Sequence, residues 1–229
     1  MRYMADMNAQ AHRVFLVDDH PLVRESLANL INQQADLSVC GEAEDSPHAI
    51  SGILQTEPDV AIVDISLTSG SGLELIKSIR LRAPKCATVV LSMHDEKLYA
   101  ERAIRAGARG YVMKRESTRR IISAIRQVLL GRVFLSDQMS ADLAERFATG
   151  KTANGNSPVL ELSDRELEVF NLLGRGLETR QIAEKLNVSI KTVQAYCARM
   201  KIKLKVSNAT ELLREAIRWN EQQASDLRQ

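Results

Sequence analysis

The chain has 229 residues, 45% of them apolar, enough for two ordinary domains with a core in each. Its formal charge is only +2, so any attraction for nucleic acid has to come from local clusters of basic residues and not from a global field. Three separated cysteines, Cys40, Cys86 and Cys197, argue against a disulfide framework or a zinc site and suit a reducing cytoplasm.

No run approaches the roughly 18 continuous apolar residues of a membrane span, and residues 1–12 form a polar tail without the apolar core of a signal peptide. From Arg13 to Arg132, strand-length apolar runs alternate with helical patterns, which marks an α/β domain with a parallel sheet. Strands are predicted near 13–17, 37–42, 59–63, 87–92 and 109–113, with helices over 21–34, 46–55, 71–82, 95–106 and 118–130. Pro21 suits a first helical position, and Gly107 stands where a left-handed cap is expected. Strand-helix units joined by right-handed crossovers favour a doubly wound, five-stranded parallel sheet whose ligands bind at the carboxyl ends of the strands.

Four of those ends carry complementary chemistry. The first strand runs into Asp18-Asp19, the third into Asp64, the fourth into Ser92 and the fifth into Lys114. Each residue taken singly is an ordinary solvated strand end. Together they describe a pocket for a hard divalent cation such as Mg²⁺, which prefers oxygen ligands and takes one or two carboxylates. Lys114 and the cation would offset the repulsion among three acids, and Ser92 would donate to an oxygen of a phosphoryl group received by Asp64.

A shorter helix is predicted over 137–147, followed by Ala148 to Pro158, small, polar and turn-forming, which reads as a linker. Beyond it only helical patterns occur. Ser163-Asp164-Arg165-Glu166 has the form of a capping box opening a helix to Leu173, and Gly174-Arg175-Gly176 breaks the chain. A second helix covers 179–186, Ser189 caps a third running to Leu204, and a fourth covers 208–219. This is an all-α, four-helix domain containing a helix-turn-helix. Between Ser189 and Val206 lie five basic residues, Lys191, Arg199, Lys201, Lys203 and Lys205, and no acid. At about 100° per residue, Val193, Tyr196, Cys197, Met200 and Leu204 form the core side, which leaves Lys191, Gln194, Ala195, Ala198, Ile202 and Lys205 facing outward. Such a face can enter a major groove, Gln pairing with adenine and Ala meeting a thymine methyl, while flanking cations hold phosphates.

Asp18-Asp19, Asp64, Ser92 and Lys114, with Asp64-Ile65-Ser66-Leu67, Gly72-Leu73-Glu74-Leu75-Ile76 and Ala106-Gly107-Ala108-Arg109-Gly110-Tyr111, resemble the receiver domain of bacterial response regulators, a flavodoxin-like fold. The resemblance implies Asp64 as phosphoacceptor, Asp19 and Asp64 as direct Mg²⁺ ligands, Asp18 acting through water, and the backbone carbonyl of Ser66 as a further ligand. It also implies Ser92 and Tyr111 as switch residues. Thr68 and Arg115 stand where relatives often have proline. Residues 160–219 resemble the DNA-binding domain of LuxR-type and NarL/FixJ-type regulators through Leu162-Ser163-Asp164-Arg165-Glu166, Gly176-Leu177, Ile182-Ala183, Leu186, Val188-Ser189 and Thr192-Val193. This implies DNA contacts from Lys191, Thr192, Gln194, Ala195, Ala198, Arg199, Lys201, Lys203 and Lys205, and dimer contacts from Leu213, Ile217 and Trp219. Gln194 and Tyr196 replace the lysine and histidine common there.

The expectation is a response regulator with a receiver at 12–132, a helical and flexible linker at 133–159 and a DNA-binding domain at 160–229. A sensor histidine kinase would phosphorylate Asp64 and so control binding to double-stranded DNA, with homodimerisation on phosphorylation. It would be cytoplasmic, free of membrane, and an enzyme only toward its own phosphoryl group. The rival readings are a phosphohydrolase, disfavoured because Ser66 stands where such enzymes place a second acid, and a phosphorylation-independent DNA-binding regulator with a degenerate receiver.

Overall fold

All five apolar runs are strands, His12–Val17 (β1), Leu37–Ala43 (β2), Val60–Val63 (β3), Ala87–Ser92 (β4) and Gly110–Met113 (β5), each bound lying within one residue of the sequence expectation. The computed structural model describes residues 11–67, 71–93, 96–116, 118–149 and 158–226. The residues up to Met93 with Ala103–Leu135 form one compact unit, and Glu96–Arg102 with Ser136 onward form the other.

In the first unit the strands pair in parallel in the order β2-β1-β3-β4-β5. Parallel sheets are covered by helices on both faces, which is why β3 is buried at every position, Val60, Ala61, Ile62 and Val63 all at 2% exposure or less. The helices that alternate with these strands along the chain are Pro21–Asn32 (α1), Ser46–Thr56 (α2), Gly72–Arg82 (α3), Glu96–Ala106 (α4, of which only Ala103–Ala106 belong to this unit) and Thr118–Leu129 (α5). Pro21 stands at the start of α1, and Gly107 ends α4 with φ of 125°, a conformation costly for a residue with a Cβ. One core cluster joins Leu27 and Ile31 of α1, Val14, Leu16, Ile62, Val89 and Leu91 of the sheet, and Ile121, Ile125 and Val128 of α5. This packing fixes the carboxyl edge of β1, β3, β4 and β5.

The second unit contains Asp137–Thr149 (α6), a 3-10 turn Pro158–Glu161, Asp164–Gly174 (α7), Thr179–Lys185 (α8), Ile190–Leu204 (α9) and Ala209–Asp226 (α10). The Ser163–Glu166 capping box forms as expected, and Ser189 Oγ accepts the Thr192 N–H at 3.1 Å to open α9. Leu167, Val169, Phe170, Ile182, Val193, Met200, Leu212 and Ala216 make the core of the bundle. α10 extends past the expected end at Trp219 to Asp226. Its last residues are polar apart from Ala224, and they sustain a helix without any apolar periodicity to announce it. Thr68 and residues 150–157 of the expected linker lie outside the described residues. Among the described residues, no helix is long and apolar enough to cross a membrane.

Candidate functional site

The pocket follows from strand register. Val17 of β1 pairs with Val63 of β3, and the Asp64 N–H donates to the Val17 carbonyl at 2.8 Å, so Asp18, Asp19 and Asp64 emerge side by side. On the other flank Ser92 pairs with Met113, and the Lys114 N–H donates to the Ser92 carbonyl at 2.8 Å. Lys114 Nζ reaches back across β4 to lie 2.6 Å from both Asp18 Oδ2 and Asp64 Oδ2. Ligand atoms of Asp18, Asp19, His20 and Asp64 all fall within 4.8 Å of one another. Three carboxylates thus face one ammonium, so the pocket is net negative, and its oxygen donors fit a hard divalent cation.

Burial decides the electrostatics here. The Asp18 and Asp64 side chains are each 3% exposed. Burial pushes the Asp64 carboxyl above its usual range, with Lys114 and the Ser66 N–H working against that rise and the Asp18 charge adding to it. Burial also opposes the charge on Lys114, but Asp64 and Asp18 outweigh it and hold the ammonium protonated. The Ser66 N–H donates to Asp64 Oδ1 at 3.1 Å. Ser92 is fully buried and Tyr111 is 1% exposed, so Tyr111 is a core aromatic of the sheet.

Two supporting residues, His20 and Arg24, escaped the sequence reading, and a third, Gly72, entered it only as part of a motif. His20 donates its N–H to Asp18 Oδ1 at 2.9 Å and places its ring 2.7 Å from Asp19 Oδ1. Arg24 Nη1 donates to the Asp18 carbonyl at 2.5 Å, bracing the turn after β1. A Cβ added at Gly72 would fall 2.2 Å from the Asp64 carbonyl oxygen and 2.6 Å from Ile65 Cα, so the start of α3 lies directly against the loop that begins at Asp64. His20 and Arg24 carry no strand-end signal, and Gly72 had shown only a motif match without its steric reason.

In the second unit, α9 buries Val193 and Met200 and half-buries Tyr196, Cys197 and Leu204, as its periodicity requires. Lys191, Gln194, Ala195, Ala198, Ile202 and Lys205 are exposed. Lys191, Lys201 and Lys205 make no ion pair among the described residues. Thr192 is half-buried and shares its hydroxyl with Ser189 at 2.8 Å, a cap contact that competes with any DNA contact.

The absence of acids along α9 is true of the sequence but not of the space around it. Glu166, 2% exposed on α7, accepts from Lys203 Nζ at 2.6 Å, Arg199 Nε at 3.2 Å and the Ser163 N–H at 2.8 Å. Burial opposes its charge, but Lys203 and the Ser163 donors outweigh it and hold the carboxyl below the usual range. A depressed carboxylate pKa stabilises the fold fully above the ordinary value of 4.5, and that contribution is lost as pH falls below it. Thermal melts of wild type and Glu166→Gln should therefore differ most near neutrality and converge below about pH 4.5. A gap that does not change with pH would contradict this.

On α10, Leu213 and Ile217 share one face and are each 39% exposed. Trp219 is two residues further round, half-buried, and lines a cavity of about 580 Å³ with Leu204 and Val206. The three expected dimer contacts therefore do not form one surface.

Comparison with known proteins agrees with both halves. Residues 14–126 match the response regulator receiver domain, and residues 160–216 match the luxR family of bacterial regulatory proteins. The oxygen regulatory protein NreC of Staphylococcus carnosus is 35% identical over 210 residues, 90% of this chain and 97% of that protein. Among solved structures, RcsB of Salmonella enterica serovar Typhimurium, bound to promoter P1flhDC in the presence of the phosphomimetic BeF3-, aligns at 28% identity with a TM-score of 0.66. That alignment covers 90% of this chain and 98% of RcsB. A LuxR-family two-component response regulator from Aurantimonas sp. aligns at 32% identity and a TM-score of 0.56 over 61% of this chain and 99% of its own. A receiver ending in this acid pocket, joined to a LuxR-type helix-turn-helix and matched along nearly the full length of NreC, places the chain in the NarL/FixJ family of two-component response regulators.

Proposed function

We propose that Asp64 is the phosphoacceptor of a phosphorylation-controlled transcription regulator, and that a sensor histidine kinase supplies the phosphoryl group. The observation that carries this is the meeting of Asp18, Asp64 and Lys114 within 2.6 Å contacts at the carboxyl edge of the sheet. An Asp64 carboxylate oxygen bonds to phosphorus as the bond from phosphorus to the donor's imidazole nitrogen breaks, and the imidazole leaves with the electron pair. Lys114 and Ser92 then receive phosphoryl oxygens, and Tyr111 follows the movement of Ser92. Asp18, Asp19, Asp64 and the Ser66 carbonyl would hold Mg²⁺, which neutralises charge on the phosphoryl oxygens.

The receiver occupies 12–132 and the DNA-binding domain 160–229, joined by 133–159. The outer face of α9, with Gln194, Ala195 and Ala198 toward bases and Lys191, Lys201 and Lys205 toward phosphates, contacts double-stranded DNA. The phosphomimetic RcsB complex with a promoter supports this reading. Leu213 and Ile217 of α10 are the dimer contacts, and three free cysteines suit a cytoplasmic location. Self-dephosphorylation is its sole turnover. The purified 229-residue chain should shift from weak to strong retention on promoter DNA when an acyl-phosphate donor and Mg²⁺ are added. Equal retention with and without the donor would favour the phosphorylation-independent regulator instead.

A further inference from the structure

Arg199 is held in a way that no other cation of α9 is. Its Nε–H points at Glu166 Oε1, 3.2 Å away, and its guanidinium carbon sits 4.9 Å from the centre of the Tyr196 ring. Glu166 is itself fixed at 2% exposure by the Ser163 N–H and Lys203. With one edge of the planar fork engaged and one face stacked, the terminal Nη1 and Nη2 groups make no hydrogen bond among the described residues, and the side chain stays 54% exposed. Lys203 differs. Its ammonium is committed to Glu166 at 2.6 Å and to the Glu161 carbonyl at 3.2 Å, which leaves one of its three donors.

Position on the helix gives the fork its target. At about 100° per residue Arg199 lies beside the outward face of Ala195 and Ile202, on the edge toward α7, whereas Lys201 and Lys205 flank the other edge. A recognition helix in a major groove has a phosphate backbone along each edge. We propose that Glu166 and Tyr196 are positioning residues that preset the Arg199 fork to clamp one DNA phosphate on the α7 side of α9. This rests on α9 being the DNA-facing helix. A fork held in one geometry before binding loses less rotamer freedom on contact, which is the advantage a planar guanidinium has over the ammonium of Lys203.

The test is the salt dependence of binding of the full chain, treated with an acyl-phosphate donor and Mg²⁺, to a mixed-sequence DNA duplex. Each phosphate contact contributes about −0.9 to the slope of log K against log salt. Arg199→Gln should flatten the slope by about one such contact, Tyr196→Leu by nearly as much, and the double variant by no more than either. Tyr196→Phe, which keeps the ring, should restore the wild-type slope. Retention of the wild-type slope by Tyr196→Leu, or additive losses in the double variant, would overturn the proposal. A second reading uses wild type alone. The Arg199 side-chain Nε–H resonance, assigned by its loss in Arg199→Gln, should show ring-current displacement from Tyr196 and move when duplex is added. An undisplaced resonance that ignores DNA overturns the proposal even where Tyr196→Leu fails to fold. Wild type that does not bind the duplex at all overturns the DNA-facing role of α9 as well, whereas the other failures strike the clamp alone.

Discussion

Asp64→Asn is expected to take up no phosphoryl group from a small acyl-phosphate donor with Mg²⁺, while melting no lower than wild type in metal-free buffer. A neutral amide is a far poorer nucleophile toward phosphorus than a carboxylate, so labelling is expected to be lost with the Asp64 carboxyl group. The stability half follows from the sign of its pKa shift. Burial raises the Asp64 carboxyl above its ordinary value of 3.8, so the charged form is costlier in the folded protein than in the unfolded one. Stability therefore falls as pH rises from 3.8 through the folded pKa and stays reduced at neutrality. Asparagine removes that burden, and Lys114 keeps Asp18 as its partner at 2.6 Å. Intact mass and a thermal melt measure the two halves. Acid-labile phosphate on the variant, or a markedly lower melting temperature, would contradict them.

Gly72→Ala should cut the rate of Asp64 labelling by about 100-fold and destabilise the protein by roughly 1–3 kcal/mol. The added Cβ would meet the Asp64 carbonyl oxygen at 2.2 Å and Ile65 Cα at 2.6 Å, both backbone atoms with no flexible end to swing aside. Either α3 moves away from the sheet or the loop carrying Asp64 shifts. In-line attack loses about two orders of magnitude for a displacement near 1 Å. Alanine's better helix propensity offsets well under half of the steric cost, since the position is the first of α3 and not its interior. Labelling kinetics and denaturant midpoints check both effects. Wild-type kinetics in this variant would show that the α3 contact does not position Asp64.

The sheet was legible in the sequence because its strands are short, mostly apolar runs closed by turns, and four of the five, β1, β3, β4 and β5, end at or run into a residue with chemistry of its own. Asp18, Asp64 and Lys114 converge because β1, β3, β4 and β5 are neighbours, an order that crossover handedness strongly restricts. The bracing was not legible. Arg24 acts through the Asp18 backbone carbonyl and Gly72 through the space it leaves empty, and neither leaves a periodic signal. Glu166 shows the limit most sharply. As a capping-box residue it was already accounted for locally, yet its second role is to hold two cations on α9, 33 and 37 residues further along. Local pattern identified the cap, and only packing of α7 against α9 reveals the charge it neutralises. Trp219 shows the same limit from the other side, since its place on α10 relative to Leu213 depends on helix rotation and not on its apolar character.

The most direct measurement is chemical mapping of the phosphoryl group on wild-type protein. After incubation with an acyl-phosphate donor, borohydride reduces an aspartyl phosphate to homoserine, and peptide mass spectrometry locates the converted residue. Conversion at Asp64 alone, abolished by a chelator and restored by Mg²⁺, is the expected result. Conversion at another residue, or at Asp64 irrespective of the metal, would contradict a pocket built from Asp18, Asp19, Asp64 and Lys114.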